Sequence, residues 1–221
     1  MKRRDFSALL AATPLAGASA TALAQGAPVE GRQFTALSQA LPTTPAGKIE
    51  VIEFFWYGCP HCYAFEPVVD PWARQLGADV AFRKVHVAFR ANWRPHQRMF
   101  FALESLGKEA QTRPAIFVAL HQQNATLDDV ASQAKFLSSL GVDPAKYTDA
   151  YNSFGVQTKC GQADKLVEGY RLEGVPTLAI NGRFTTSPAQ VGAGQSMSEH
   201  ELGLRTLKVA DFLIQRARAK A

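Results

Sequence analysis

The sequence predicts an α/β fold interrupted by an all-helical insertion. Three observations carry this. A strand–helix–strand pattern occupies residues 49–89, helical patterns fill the chain from there to about Leu172, and strand signals return at Thr177 ahead of one last helix.

The elements follow in order. Residues Gln25 to Gly47 are rich in Ala, Pro, Thr and Gly and read as an extended lead-in, with one short strand near Arg32–Thr35. Ile49–Trp56 is a nearly continuous run of β-branched and aromatic residues, the pattern of a strand covered on both faces. Cys59-Pro60-His61-Cys62 follows, and Phe65, Val69, Trp72 and Leu76 then recur at helical spacing. Pro60 suits a first helical turn, where its missing N–H costs nothing. Pro67 and Pro71 predict a kink or break. Val80–Phe89 is the second strand.

The next stretch reads as helices over Arg94–Leu106, Pro114–His121, Leu127–Leu140 and Pro144–Phe154, separated by Gly107, Asn124 and Gly141. Thr126 with Asp129, and Asp143 with Pro144, are helix-start signals. A longer helix spans about Val156–Leu172. Thr177–Ile180 and Arg183–Thr185 flank Asn181-Gly182, a strong hairpin signal. Ser196 with Glu199 forms a capping-box pattern before the helix ending near Arg218. The organisation is thus a leader over 1–24, an α/β part over 25–91, a helical insertion over 92–162 and a second α/β part over 163–221.

Composition narrows the function classes. Of 221 residues, 47% are hydrophobic and 19% charged, as in an ordinary globular protein. Three cysteines are too few for a disulfide scaffold. Lys2, Arg3 and Arg4, an apolar stretch from Phe6 to Ala20 and Ala22-Leu23-Ala24 make a cleavable export signal, with the mature chain starting at Gln25. Arg3-Arg4-Asp5-Phe6 fits a twin-arginine signal as well as the general secretion route. Either route leads out of the cytoplasm, where disulfides persist. Loss of the leader takes the net charge from +5 to +3, too weak and scattered for a nucleic-acid partner.

The chemistry lies in Cys59 and Cys62. At spacing i, i+3 the two sulfurs share one helix face. The first sits at the helix N-terminus, where free N–H groups favour a thiolate, which is both nucleophile and leaving group. His61 can add positive charge or a hydrogen bond. A structural zinc needs four ligands, and no second Cys-x-x-Cys is present. Val156, Cys160, Ala163, Val167 and Tyr170 share one helical face, which makes Cys160 a buried, inert thiol. His86, His96, His121 and His200 read as structural or surface residues.

The segment from Phe54 through Cys59-Pro60-His61-Cys62 to Glu66 resembles the active-site segment of the DsbA family, periplasmic disulfide oxidases of the thioredoxin superfamily. Gly174-Val175-Pro176-Thr177 resembles that family's cis-proline loop. Glu30-Gly31-Arg32-Gln33-Phe34, Asn152-Ser153-Phe154 and Asn181-Gly182-Arg183-Phe184 also match it. The resemblance implies a thioredoxin fold with the helical insertion. It implies that Cys59 is the exposed, attacked sulfur and Cys62 its buried partner, with Pro60 and His61 setting the reactivity of the pair. Thiolate stabilisation in the reduced form makes such a disulfide a stronger oxidant, a relation for which DsbA proteins are themselves the standard example.

The resemblance further implies that Pro176 is cis and that Val175, Trp56 and Tyr57 grip substrate. Glu53 and Lys84 become a buried pair beneath the site and Glu66 a third tuning group; the alternatives on residue pattern are two solvated strand-edge charges for the pair and, with equal weight, an exposed helix carboxylate for Glu66. The implied reaction is donation of the Cys59–Cys62 disulfide to unfolded exported proteins with free cysteines. Reoxidation comes from a membrane quinone-linked oxidase of the DsbB type. The chain is expected to act as a monomer, without metal or cofactor. A reductase or isomerase on the same fold, or a periplasmic peptide-binding chaperone, are the alternatives.

Overall fold

The computed structural model describes residues 26–219, so the leader over 1–24 lies outside the described residues. Five strands form one mixed sheet: β1 (Thr35–Ala36), β2 (Ile49–Phe55), β3 (Val80–His86), β4 (Thr177–Ile180) and β5 (Phe184–Thr186), in the order β1-β5-β4-β2-β3. β2 and β3 are parallel and the other pairs antiparallel. α1 (Pro60–Ala73) links β2 to β3. The helices α2 (Arg94–Ser105), α3 (Glu109–Gln122), α4 (Val130–Ser138), α5 (Pro144–Asn152) and α6 (Phe154–Tyr170) follow, then a short α7 (Pro188–Val191) and the long α8 (Glu199–Arg218). The fold is a thioredoxin-like α/β fold with a helical insertion. The boundary placed at residue 162 falls inside α6, which runs unbroken through it.

All seven residues of β2 are buried, as a run apolar on both sides requires. Its two faces serve two cores. Ile49 and Val51 join Phe65, Val69, Leu178, Ile180 and Leu213 between the sheet and α1 with α8. Ile52 and Phe54 join Met99, Phe100, Ala163 and Tyr170 beneath the helical insertion. The end of β2 therefore delivers the chain into the crease between these two layers, where α1 begins.

Several local expectations need correction. α1 begins at Pro60 and is unbroken across Pro67 and Pro71. The two prolines stand four residues apart, so the N–H that Pro71 lacks is the partner of the Pro67 carbonyl, and both losses fall on one face. Burial of Phe65, Val68 and Val69 offsets them. α3 begins at Glu109 and carries Pro114 in its interior. β3 stops at His86. Asp129 and Asp143 do cap α4 and α5, but α8 is capped by Ser198, whose hydroxyl accepts the Glu201 N–H. The Ser196–Glu199 pattern is thus displaced by two residues, which turns Glu199 to other use.

The Asn181-Gly182 hairpin forms, with both residues at positive φ. Gly182 is constrained twice: φ is +64°, and a Cβ would stand 2.2 Å from the Leu41 carbonyl oxygen. Gly107 has a similar φ of +66° and open space around it. Gly182→Ala should therefore cost about 2 kcal/mol or more beyond the roughly 1 kcal/mol of Gly107→Ala, measured by urea unfolding. Equal losses would show that the lead-in segment yields freely.

Candidate functional site

Cys59 is the residue that caps α1, in extended conformation, with Pro60 in the first turn. Its backbone N–H donates to the Trp56 carbonyl at 3.0 Å, which closes the turn leaving β2. That turn requires Gly58, because a Cβ there would lie 2.4 Å from the Trp56 indole. Cys59, Cys62 and Cys160 are all free thiols.

One helical turn separates two opposite environments. The Cys59 thiol falls from its ordinary 9.0 to about 6. The largest cause is the hydrogen bond from the Cys62 thiol. Burial opposes it, while the backbone N–H groups of Cys62 and His61 and the charge of His61 add to it. Cys62 is fully buried, and burial drives its thiol well above the ordinary value. Burial likewise raises Cys160, which lies in the core against the insertion.

The Val175–Pro176 bond is cis, and the Cys59 thiol donates to the Val175 carbonyl at 3.4 Å. The loop before β4 and the start of α1 thus meet at the reactive sulfur. A cavity of about 1070 Å³ opens beside them, lined by Leu41, His61, Leu172, Val175, Pro176 and Leu202 among others. His61 is exposed, and its Nδ1 lies 2.9 Å from Glu199 at the start of α8.

Trp56 is half-buried and stacks on Trp93, ring centroids 3.7 Å apart, while its Nε1–H donates to His96 Nδ1 at 3.2 Å. Tyr57 does not join it on the surface. Its side chain is fully buried and its hydroxyl donates to Glu109 at 2.9 Å. The expectation that Tyr57 grips substrate is therefore wrong: successive residues leaving a strand point to opposite sides, and Tyr57 takes the inner one.

Glu53 and Lys84 are directly opposed in the parallel register of β2 and β3, and both are buried. Lys84 donates to Glu53 and, at 2.9 Å, to Glu66. Burial, only partly countered by Lys84, lifts the Glu53 carboxyl to about 7. Burial works against the Lys84 charge, but Glu53 and Glu66 outweigh it and hold the ammonium above its ordinary range.

The sequence reading missed the helical insertion's part in the site. His121 of α3 donates from Nε2 to the Tyr57 carbonyl at 2.8 Å and lies flat against Tyr63. Arg113 of α3 pairs with Glu66 at 2.6 Å, Asp70 at 2.9 Å and Glu109 at 2.9 Å. Arg113 and Glu109 occur in a polar stretch of α3 that gives no periodic sign of burial; only the helical spacing i, i+4 between them was available.

Alkylation of the reduced protein should label Cys59 with a midpoint near pH 6, and leave Cys62 and Cys160 slow at every pH up to about 8. Peptide mapping that finds Cys160 or Cys62 labelled as fast as Cys59 at pH 6.5 would refute the environments described.

Comparison with known proteins bears on the same segment. The DSBA-like thioredoxin domain family matches residues 50–197. The chain is 43% identical over 178 residues, 80% of each chain, to the thiol:disulfide interchange protein DsbA of Burkholderia cepacia. It is 41% identical over 181 residues, 82% of each chain, to that of Pseudomonas aeruginosa. The crystal structure of Pseudomonas aeruginosa DsbA superposes with a TM-score of 0.79 at 40% identity, covering 86% of this chain and 94% of that one. The strand from Glu50 onward, the cysteine-capped helix and the proline loop lie within the matched region, and the chain belongs to the DSBA-like thioredoxin domain family.

Proposed function

We propose that the chain is a thiol:disulfide oxidoreductase that donates its Cys59–Cys62 disulfide to reduced, unfolded proteins exported to the periplasm. A membrane quinone-linked oxidase of the DsbB type then restores the disulfide. The observation that carries the reading is the contrast within one helical turn: Cys59 caps α1 against the cis Val175–Pro176 bond, which its sulfur meets at 3.4 Å, while Cys62 behind it is fully buried. The names of the relatives, thiol:disulfide interchange proteins, support the reaction class.

A substrate thiolate attacks the Cys59 sulfur of the disulfide. The Cys59–Cys62 bond breaks, Cys62 leaves with the electron pair and takes up a proton, and a mixed disulfide forms at Cys59. A second substrate thiolate then attacks the substrate sulfur of that bond and releases Cys59 as a thiolate. The low proton affinity of Cys59 makes it the better leaving group, so the second step runs toward oxidised substrate. Val175 offers its backbone to an extended peptide, and Trp56 and the apolar wall of the neighbouring cavity offer surface to an unfolded chain. Pro176 places no N–H beside Cys59 that could compete for its sulfur. His61 and Pro60 belong to the helix start that stabilises the thiolate, and no metal or organic cofactor is required.

The oxidised protein should transfer one disulfide per molecule to a reduced, unfolded substrate, with further turnover only after an oxidant is added. Cys59→Ala should abolish transfer; a variant that oxidises substrate as fast as the parent would rule the mechanism out.

The sign of the pH effect on stability follows from Cys59. Its value is lowered in the folded reduced protein, so its contribution is complete above the ordinary 9.0 and is lost as pH falls through about 6. The oxidised protein lacks this thiolate. Between these limits the stability of the reduced form over the oxidised form should decline by about 1.4 kcal/mol per pH unit on acidification. Paired denaturant melts at pH 8, 7 and 6 measure it, and a constant difference would contradict the ionised-sulfur account.

A further inference from the structure

We propose that Arg113, a residue of the helical insertion, is a positioning residue for disulfide exchange: by holding Glu66, Asp70 and Glu109 it fixes how far Lys84 is committed to Glu53, and so sets the pH at which Cys62 can act as a nucleophile. The inference rests on the exchange chemistry above and goes beyond it.

The geometry forms one line of charge. The Arg113 guanidinium makes a two-pronged pair with Glu109 on its own helix, Nε and Nη2 each donating at 2.9 Å. Its Nη1 reaches across to α1, to Glu66 at 2.6 Å and Asp70 at 2.9 Å. Glu66 turns its other oxygen to Lys84, which also stands 3.5 Å from Asp70 and donates to Glu53. Arg113, Glu66, Lys84 and Glu53 are all at least seven-eighths buried at their side chains, so their mutual fields are weakly screened. Tyr57 closes the far end through Glu109.

The arrangement holds four carboxyl groups against two cations. Lys84 alone would be shared among Glu53, Glu66 and Asp70. Arg113 takes up much of the demand of Glu66 and Asp70 and leaves the ammonium for Glu53. The groups that face Glu53 are Lys84 from β3, Glu66 and Cys62 from α1 and, at longer range, Arg113 from α3; β4 sets the uncharged Leu178 opposite it. Its Oε1 is buried with no hydrogen-bond partner among the described residues. That oxygen has no hydrogen bond to give up when it takes a proton, and because charge on Glu53 raises the Cys62 thiol the two lose their protons as one pair, whose first step a neighbouring cation lowers.

The step affected is ring closure. With glutathione bound to Cys59 as a mixed disulfide, the Cys62 thiol, which makes no hydrogen bond to Glu53 at rest, passes its proton to the Glu53 carboxylate as the site rearranges for attack. Its sulfur attacks Cys59, the Cys59–Cys62 bond forms, and glutathione leaves as a thiolate. Without Arg113, Lys84 shifts toward Glu66 and Asp70, and Glu53 keeps its proton to higher pH.

The test is the pH profile of glutathione release from the Cys59 mixed disulfide, prepared with oxidised glutathione. Arg113→Met should move the midpoint up by roughly half a pH unit or more, and Asp70→Asn, which removes a competitor for both cations, should move it down. Arg113→Lys should restore part of the shift. Asp70 is partly exposed, so its variant reads the network even if Arg113→Met fails to fold. Profiles that superimpose on the parent for every folded variant, whatever their melting temperatures, would reduce Arg113 to a structural tie. Cys62→Ser must retain glutathione; if it releases glutathione like the parent, the exchange reading itself fails and this proposal with it.

Discussion

The structure turns on an unfinished helix. The first N–H groups of any helix lack partners within it. In this chain α4, α5, α6, α7 and α8 solve the problem with an Asp or Ser oxygen at the cap. α1 has Cys59 there, and its neutral side chain makes no capping bond. Only the ionised sulfur can accept from the waiting N–H groups. The thiolate is therefore the missing cap, and the reduced, ionised protein is the one in which α1 is complete. A disulfide at the same position withdraws that charge, which is the physical root of an oxidising bond.

That constraint explains the burial around it. The helix start must be held rigidly, and the local turn does so together with two segments distant in sequence. Gly58 lets the turn fold under the Trp56 ring, the Val175–Pro176 loop supplies a carbonyl to the sulfur, and His121 ties the Tyr57 carbonyl to α3. The insertion is thus a wall of the site, linked to the α/β part by a buried ion network as well as by apolar packing. Such networks are costly to desolvate and add little net stability, but they admit few alternative arrangements.

Much of this was legible in the sequence because it rests on short-range rules. The continuous apolar run of β2, the Cys-x-x-Cys at a helix start, the Asn-Gly hairpin and the Asp caps each declare themselves locally. The helical face of Cys160 and the opposition of Glu53 and Lys84 also came through, the second only by family resemblance. What failed was long-range or competitive. Pro67 and Pro71 break helices in isolation, and tertiary burial of Phe65 and Val69 overrides them. Ser196 and Ser198 offer the same capping pattern, and packing chooses between them. Family resemblance alone suggests Tyr57 as a substrate contact, and nothing local in the sequence shows that its ring turns inward. Arg113 and Glu109 look like an exposed helical ion pair until α1 is seen against them.

The two halves of the site require each other. A sulfur that ionises easily is a good leaving group, but its partner must not compete for the same role. Cys62 is therefore placed one turn inward, where desolvation keeps its proton on. A thiol so protected cannot close the disulfide again unless some group can take that proton within the buried layer. Water is largely excluded there, so the acceptor has to be a side chain whose own proton affinity is brought close to neutrality. A carboxyl in an apolar strand beside a single shared ammonium meets that condition, because burial raises Glu53 above the ordinary carboxylate range. The exposed chemistry at Cys59 thus entails the buried charges beneath Cys62, and these reach outward to the insertion to be balanced.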